Sequence, residues 1–329
     1  MQPLHAAISS LGSFAPALCL VLFILASLLV VWRLETLSAQ GVEGTVLGTL
    51  FMPFCSGMGN IVFALLMARH ASNAQNVVVN ALFNNITNLT LLIALPALIW
   101  SMSGIPMKKS QAAMREHHIG RLSLSLNLVA ATFFALFSWL LLSDGTIDRA
   151  DGFILIALFF FWQAFHLYDV KKTNLLKKNS YPRTLPLEII LLLLGAFFIF
   201  ISTDWLVSWF QTLQSTASTL PPQLLGWLSG ILMVLPNALL AFYYGAKNRM
   251  DVVYTSQSGD AHICIPLCIG LFAIFHPIPT SPFLQTALLL LITLSLSHLL
   301  LILLLGRLPR ILAALFLLAF IAFLYTGTI

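Results

Sequence analysis

Charge is what this chain has least of. Only 8% of its 329 residues are Asp, Glu, Lys or Arg, against roughly 25% in an ordinary soluble domain. A folded surface in water needs polar groups, and 27 charged side chains, 16 basic and 11 acidic, cannot coat a body of this size. A water-soluble globular protein is excluded, and the medium is a lipid bilayer. Cysteine is scarce as well: Cys19, Cys55, Cys264 and Cys268 all lie inside apolar runs, so there is no disulfide framework to read. The first hydrophobic stretch, Phe14 to Trp32, has no basic residue ahead of it and no small-residue cleavage site, so no cleavable signal is expected. No nucleotide loop, nucleophile-base pair or hydrolase signature is visible. The expectation is therefore a protein that is not an enzyme and has no cofactor.

What is abundant is apolar sequence, 59% of the chain, enough for about ten spans of roughly 20 residues. Apolar runs bounded by charge, Gly or Pro predict helices near 14–32, 46–68, 77–101, 122–143, 151–168, 186–203, 223–246, 253–275, 283–306 and 308–326. The stretch from Asp204 to Leu220 either lengthens the sixth helix or lies in the interface. No room is left for a soluble domain, so the net charge of +5 bears on topology and not on nucleic acid. Of the 16 basic residues, only Arg69 and Arg149 fall on the N-terminus and even-numbered connections; the other 14 fall on the odd ones. By the positive-inside rule the odd connections are cytoplasmic and both termini lie outside, which suits a multi-pass protein of a cell (inner) membrane. The most basic connection, around residues 169–183, divides the chain into five helices, residues 1–168, and five more, 184–329. A repeated five-helix unit inverts its orientation in the membrane. No partner beyond the bilayer and inorganic cations is implied, and homo-oligomerisation is left open.

Polar groups inside hydrocarbon cost several kcal/mol without a partner, so their positions carry the most information. The third helix holds Asn80, Asn84, Asn85, Thr87, Asn88 and Thr90; the eighth holds Thr255, Ser256, Gln257, Ser258, Asp260 and His262. Asn80, Asn84 and Asn88, and likewise Ser256, Asp260 and Cys264, are spaced to share a helix face. Amides of this kind can glue helices together. Their matched placement in both halves favours a hydrophilic site at mid-membrane instead, built from oxygen ligands suited to hard cations. The second helix adds Pro53, Gly57, Gly59 and Asn60, and the seventh Gly230, Pro236 and Asn237, residues that either pack helices closely or loosen the helical ladder beside an ion. Cys264 and Cys268, with Asp260, would suit a softer transition metal. His262 is as well explained by packing as by a proton relay with Asp260. His298 reads as structural.

This order of elements resembles the cation/calcium exchanger superfamily, which includes sodium/calcium and calcium/proton exchangers. Asn84-Asn85-Ile86-Thr87-Asn88 is similar to the family's Gly-Ser-Asn-x-x-Asn/Asp element, Pro236-Asn237 sits at a Pro-Glu position, and Lys247-Asn248-Arg249-Met250-Asp251 looks like the loop of the calcium/proton branch. The resemblance implies an all-α polytopic membrane protein of about ten helices in two inverted-topology five-helix repeats, acting as a secondary active cation antiporter. The sequence departs from the family at the positions of its two glutamates, which would be Asn60 and Asn237 here. In the eighth helix either Asp260 and Cys264 or Ser256 and Asp260 match the second motif. With one carboxylate, Asp260, the site suits a monovalent cation or a proton better than calcium. Two other readings follow from the same departures: an exchanger fold that serves as scaffold or sensor without transport, and a transition-metal transporter. The topology predicts that a cysteine placed at Lys177 is labelled by impermeant thiol reagents from the cytoplasmic face alone; labelling from outside would overturn the alternation.

Overall fold

The computed structural model describes residues 8–39, 57–69, 73–100, 111–174, 184–216, 223–248, 250–259, 261–305 and 308–328. Helix occupies all ten expected places among them. The first crossing is Ala15–Ala39, the second Met58–Arg69, the third Ala74–Leu89 followed by Leu91–Ile99, the fourth Gln111–Leu141 and the fifth Arg149–Asn174. The sixth is Leu185–Thr216, the seventh Leu224–Ala246, the ninth Pro282–Leu304 and the tenth Arg310–Thr328. The eighth comprises Met250–Gly259, Ala261–Ile263, a π-helical turn Cys264–Ile269 and Gly270–Phe275. Seven of these segments are long and apolar enough to cross a membrane, and Met58–Arg69 and Arg310–Tyr325 are shorter apolar helices.

Several boundaries differ from those predicted. The sixth helix continues as far as Thr216, which settles the Asp204 to Leu220 stretch largely in favour of a longer helix. The fourth starts at Gln111, eleven positions before the expected 122, because hydropathy marks the hydrocarbon core and not the helix end. A two-residue strand pair, β1 (Thr146–Ile147) antiparallel to β2 (Ile278–Pro279), was not foreseen.

The predicted uninterrupted third and eighth helices are corrected by the structure. At Thr90 the backbone leaves the helical region, with φ −108° and ψ −82°. Both the N–H and the hydroxyl of Thr90 donate to Ile86 O, a back-bonding arrangement that bends helices. Six residues later Pro96 has no N–H for the carbonyl one turn earlier. In the eighth crossing Pro266 lies inside the π turn, the wider winding that absorbs the missing donor. Elsewhere the serines and threonines of the apolar helices, such as Ser27, Thr132 and Ser202, donate to carbonyls one turn back, satisfying hydroxyls that have no water to meet.

Packing joins the two halves pair by pair. The first crossing packs on the sixth, the fourth on the ninth, the third on the seventh, the eighth on the second, the fifth on the eighth and the tenth on the third. Adding five to each ordinal, modulo ten, maps this set onto itself. Contacts between crossings also respect one alternation of ends. Trp205 Nε1 donates to Ser9 Oγ at 3.2 Å, His276 Nε2 to Ala68 O at 2.8 Å, and β1 pairs with β2, all on the rim of even-numbered connections. Arg33 pairs with Glu188 at 3.4 Å, and Trp100 meets Phe242 edge-on, on the opposite rim.

Glycines set the closest approaches. A Cβ at Gly226 would stand 2.7 Å from Asn76 O and 2.9 Å from its Cα, both backbone atoms that cannot move aside. A Cβ at Gly152 would meet Gly270 O at 2.8 Å. Gly226→Val therefore separates the third and seventh crossings, and overpacking of this kind costs about 1–3 kcal/mol. The expected result is a lower thermal midpoint in detergent than for wild type; an unchanged midpoint would overturn the close approach.

Candidate functional site

The asparagines of the third crossing divide into two groups. Asn73 caps its start, accepting from Gln75 N at 2.9 Å. One turn in, Asn76 Oδ1 accepts from Gly226 N at 3.0 Å, and one further turn on Asn80 Nδ2 donates to Ser229 Oγ at 3.0 Å. These two are interhelical fasteners between the third and seventh crossings, the role amides often take in lipid. The next members of the stripe turn to other business.

Asn84 Nδ2 donates to Cys264 Sγ in the π turn at 3.7 Å, and Asn85 Nδ2 to Ala81 O at 2.7 Å. The carbonyl oxygens Asn84 Oδ1 and Asn85 Oδ1 have no partner, although both residues are fully buried. Asn60, in the second crossing, is likewise 0% exposed, and neither its Oδ1 nor its Nδ2 has a partner. The neighbouring Gly59 lies against Met233 and Phe23, and Gly230 against Phe83. Gly59 and Gly230 therefore serve close packing. Asn88 and Asn237 are also buried.

In the eighth crossing Ser256 Oγ donates to Val253 O at 3.0 Å. Gln257 Nε2 donates to Ser256 Oγ at 3.1 Å and to Asn237 O at 3.4 Å, which ties the seventh crossing to the eighth. Gln257 Oε1 is buried without a partner. Its part was not singled out in the sequence, where it stands as one member of a run of hydroxyl residues; what distinguishes it is length, enough to reach the next helix. Cys264 and Cys268 are fully buried in the π turn. Asp260 lies outside the described residues, as does the side chain of His262. Among the described residues no three His, Cys, Asp or Glu gather to hold a metal.

Unpartnered buried amide oxygens thus occur in the second, third and eighth crossings, and Asn84 touches the π turn directly. The second crossing packs against both the third and the π turn. Such oxygens are neutral, hard donors. Neutral oxygens of this kind can take the place of water around a cation.

His298, in the ninth crossing, holds the irregular region in shape. Its Nε2 donates to the carbonyl of Leu89, the last residue before the break, at 2.6 Å, and Tyr254 OH donates to its Nδ1 at 3.3 Å. A carbonyl accepts only, so the tautomer is fixed with the proton on Nε2. The ring stacks on Phe316 at 4.2 Å. One side chain thereby links the third, eighth, ninth and tenth crossings, in keeping with the structural role read from sequence.

A family model described as sodium/calcium exchanger protein matches residues 12–168 and 187–328, and the chain belongs to that family. Among solved structures it is similar to the sodium-calcium exchanger NCX_Mj. In crystals soaked with 2.5 mM Na+ and 10 mM Sr2+ the TM-score is 0.68 at 18% identity, covering 98% of each chain. With zero Na+ and Ca2+ it is 0.65 over 99% of each chain, again at 18% identity. Among curated proteins no sequence matches. The chain is thus an all-α multi-pass membrane protein of exchanger fold, and its family is one of transporters and not of catalysts.

Replacing His298 by Leu strands Leu89 O and Tyr254 OH in a dry interior, at a cost of about 1–3 kcal/mol for each unmet group. Thermal unfolding in detergent is expected to shift down clearly for His298→Leu and less for His298→Gln, which retains an amide donor; equal midpoints would remove the latch role.

Proposed function

We propose that this protein is a secondary active cation antiporter whose site lies near mid-membrane, between the second and third crossings of one half and the seventh and eighth of the other. Residues 1–168 and 184–329 act as two inverted repeats joined by a cytoplasmic linker, 169–183, and alternating access arises as the remaining helices, chiefly the first and sixth, slide or rock past that fixed group. The observation that carries this reading is the set of fully buried, unpartnered oxygens on Asn60, Asn84 and Asn85, and on Gln257. Unmet groups of this kind are costly in a membrane interior, and a cation would supply the partner they lack. NCX_Mj, named for sodium-calcium exchange, shares the architecture over the whole chain, which supports exchange of cations here as well.

The cargo follows from charge. Amide and hydroxyl oxygens from Asn60, Asn84, Asn85, Asn88, Asn237 and Ser256 are neutral, and Asp260 is the single carboxylate. Taking a divalent ion out of water demands more negative charge than one group supplies. A monovalent cation exchanged against a proton or Na+ fits this balance better than calcium. Asp260 is the coupling group: it carries the proton when no cation is present and is ionised when one binds. The odd-numbered connections face the cytoplasm of a cell (inner) membrane.

A second reading has one specific feature in its favour. Asn60 and Asn237 stand where the resemblance places glutamates, so an exchanger fold retained as a scaffold or sensor accounts for the same sequence without flux.

Flux assays in proteoliposomes with Na+, K+, Ca2+ and a pH gradient separate the two. In the antiporter reading, uptake rises with pH as Asp260 ionises, and Asp260→Asn lowers it by roughly tenfold or more and flattens the pH profile. Transport by Asp260→Asn equal to wild type, with unchanged pH dependence, excludes this role. The complete lack of flux in wild type favours the scaffold.

A further inference from the structure

The fifth crossing carries one polar side chain in a long apolar run, Gln163, set among Phe159, Phe160, Phe161, Trp162, Ala164 and Phe165. It is 6% exposed, and neither its Oε1 nor its Nε2 has a hydrogen-bond partner. An amide wholly unmet in a protein interior is destabilising, and on a helix surrounded by lipid it could have been any apolar residue at no loss. What its face touches decides what it is for.

That face can be followed turn by turn. Gly152, Leu155, Phe159 and Gln163 form its buried stripe, whereas Phe160 and Phe161 are exposed. Gly152 abuts Gly270 and Ala273, Leu155 and Ile156 abut Gly270, and Phe159 clusters with Ile263 and Leu267. As the fifth crossing advances, its contacts on the eighth move backward along the chain, so the two run antiparallel. Gln163 is one turn beyond Phe159 on the same stripe. Its place on the eighth crossing therefore falls at or before Ile263, toward the stretch that ends in Gln257, Ser258 and Gly259. Ile61, next to Asn60, packs on the same Phe159–Ile263–Leu267 cluster, which brings the second crossing beside the fifth there.

We infer that Gln163 is a binding residue of the cation site, supplied by a fifth helix outside the two helix pairs assigned to it above. Its side chain is directed along the eighth crossing toward that polar stretch, and offers Oε1 to the cargo or Nε2 to a carboxylate that holds it. The inference rests on the antiporter reading. It makes the ligand shell wider than the broken helices alone, and it supplies a neutral oxygen of the kind that suits a singly charged ion.

The test uses the full-length protein in proteoliposomes, with Na+, K+ and Ca2+ supplied in turn. Gln163→Met keeps the volume and removes both polar atoms; Gln163→Glu keeps the shape and adds charge; Phe161→Leu, on the exposed side of the same helix, is the control. Gln163→Met is expected to raise the KM for the transported cation roughly tenfold with little change in maximal rate. Gln163→Glu is expected to move preference from the monovalent ions toward Ca2+, and Phe161→Leu to behave as wild type. Wild-type KM and selectivity in both Gln163 variants overturn the inference. Should wild type carry none of the ions, the antiporter reading falls, and Gln163 is then judged by thermal stabilisation of the detergent-solubilised protein on adding Na+ or Ca2+. Stabilisation lost in Gln163→Met supports the role, and stabilisation that is equal, or missing in wild type too, overturns it.

Discussion

Hydrocarbon offers no hydrogen bonds, and the whole architecture answers to that constraint. Backbone groups are closed within helices, hydroxyls such as those of Ser27, Thr132 and Ser202 bond back along their own helix, and Asn76 and Asn80 find partners across to the seventh crossing. Against that background the unmet side-chain atoms stand out, and among them are amide oxygens of Asn84 and Asn85, close in sequence to the break at Thr90, with Asn84 bonded to the Cys264–Ile269 turn.

Two kinds of small-residue chemistry share the second and seventh crossings, and the structure separates them. Gly59, Gly226 and Gly230 bring helices into close contact; Asn60, next to Gly59, and Asn237, two turns beyond Gly230, are buried amides. At Gly59 the close approach of Met233 and Phe23 narrows the space around the neighbouring amide. His298 plays the complementary part, pinning the end of the third crossing's first segment so that the loosened backbone keeps one geometry.

The number and order of crossings were legible because a 20-residue apolar run has few alternatives in any protein, and the polar third and eighth helices were legible because Asn in such a run is costly. Other features left no local trace. The π turn around Pro266 lies in a stretch, Ile263 to Phe275, whose hydropathy does not falter. The division of the asparagine stripe into fasteners and open oxygens depends on what Gly226, Ser229 and Cys264 present from distant parts of the chain. Helix ends beyond the membrane core were misjudged for a related reason: Gln111 to Arg121 is polar enough to read as a connection, yet Gln, Ala, Met, Arg and Glu are all strong helix formers. Asp260, the acid on which the cargo argument turns, was visible in the sequence and lies outside the described residues.

The short ladder between β1 and β2 has a mechanical meaning. It joins the connection after the fourth crossing to the one after the eighth, with Thr280 N donating to Gly145 O at 2.9 Å to extend the seam. One belongs to the first half and the other to the second, so on that rim the halves are stitched by backbone and not by side chains alone. A stitch at one rim turns any relative movement of the halves into a pivot, in which displacement is smallest near the seam and grows with depth toward the opposite face.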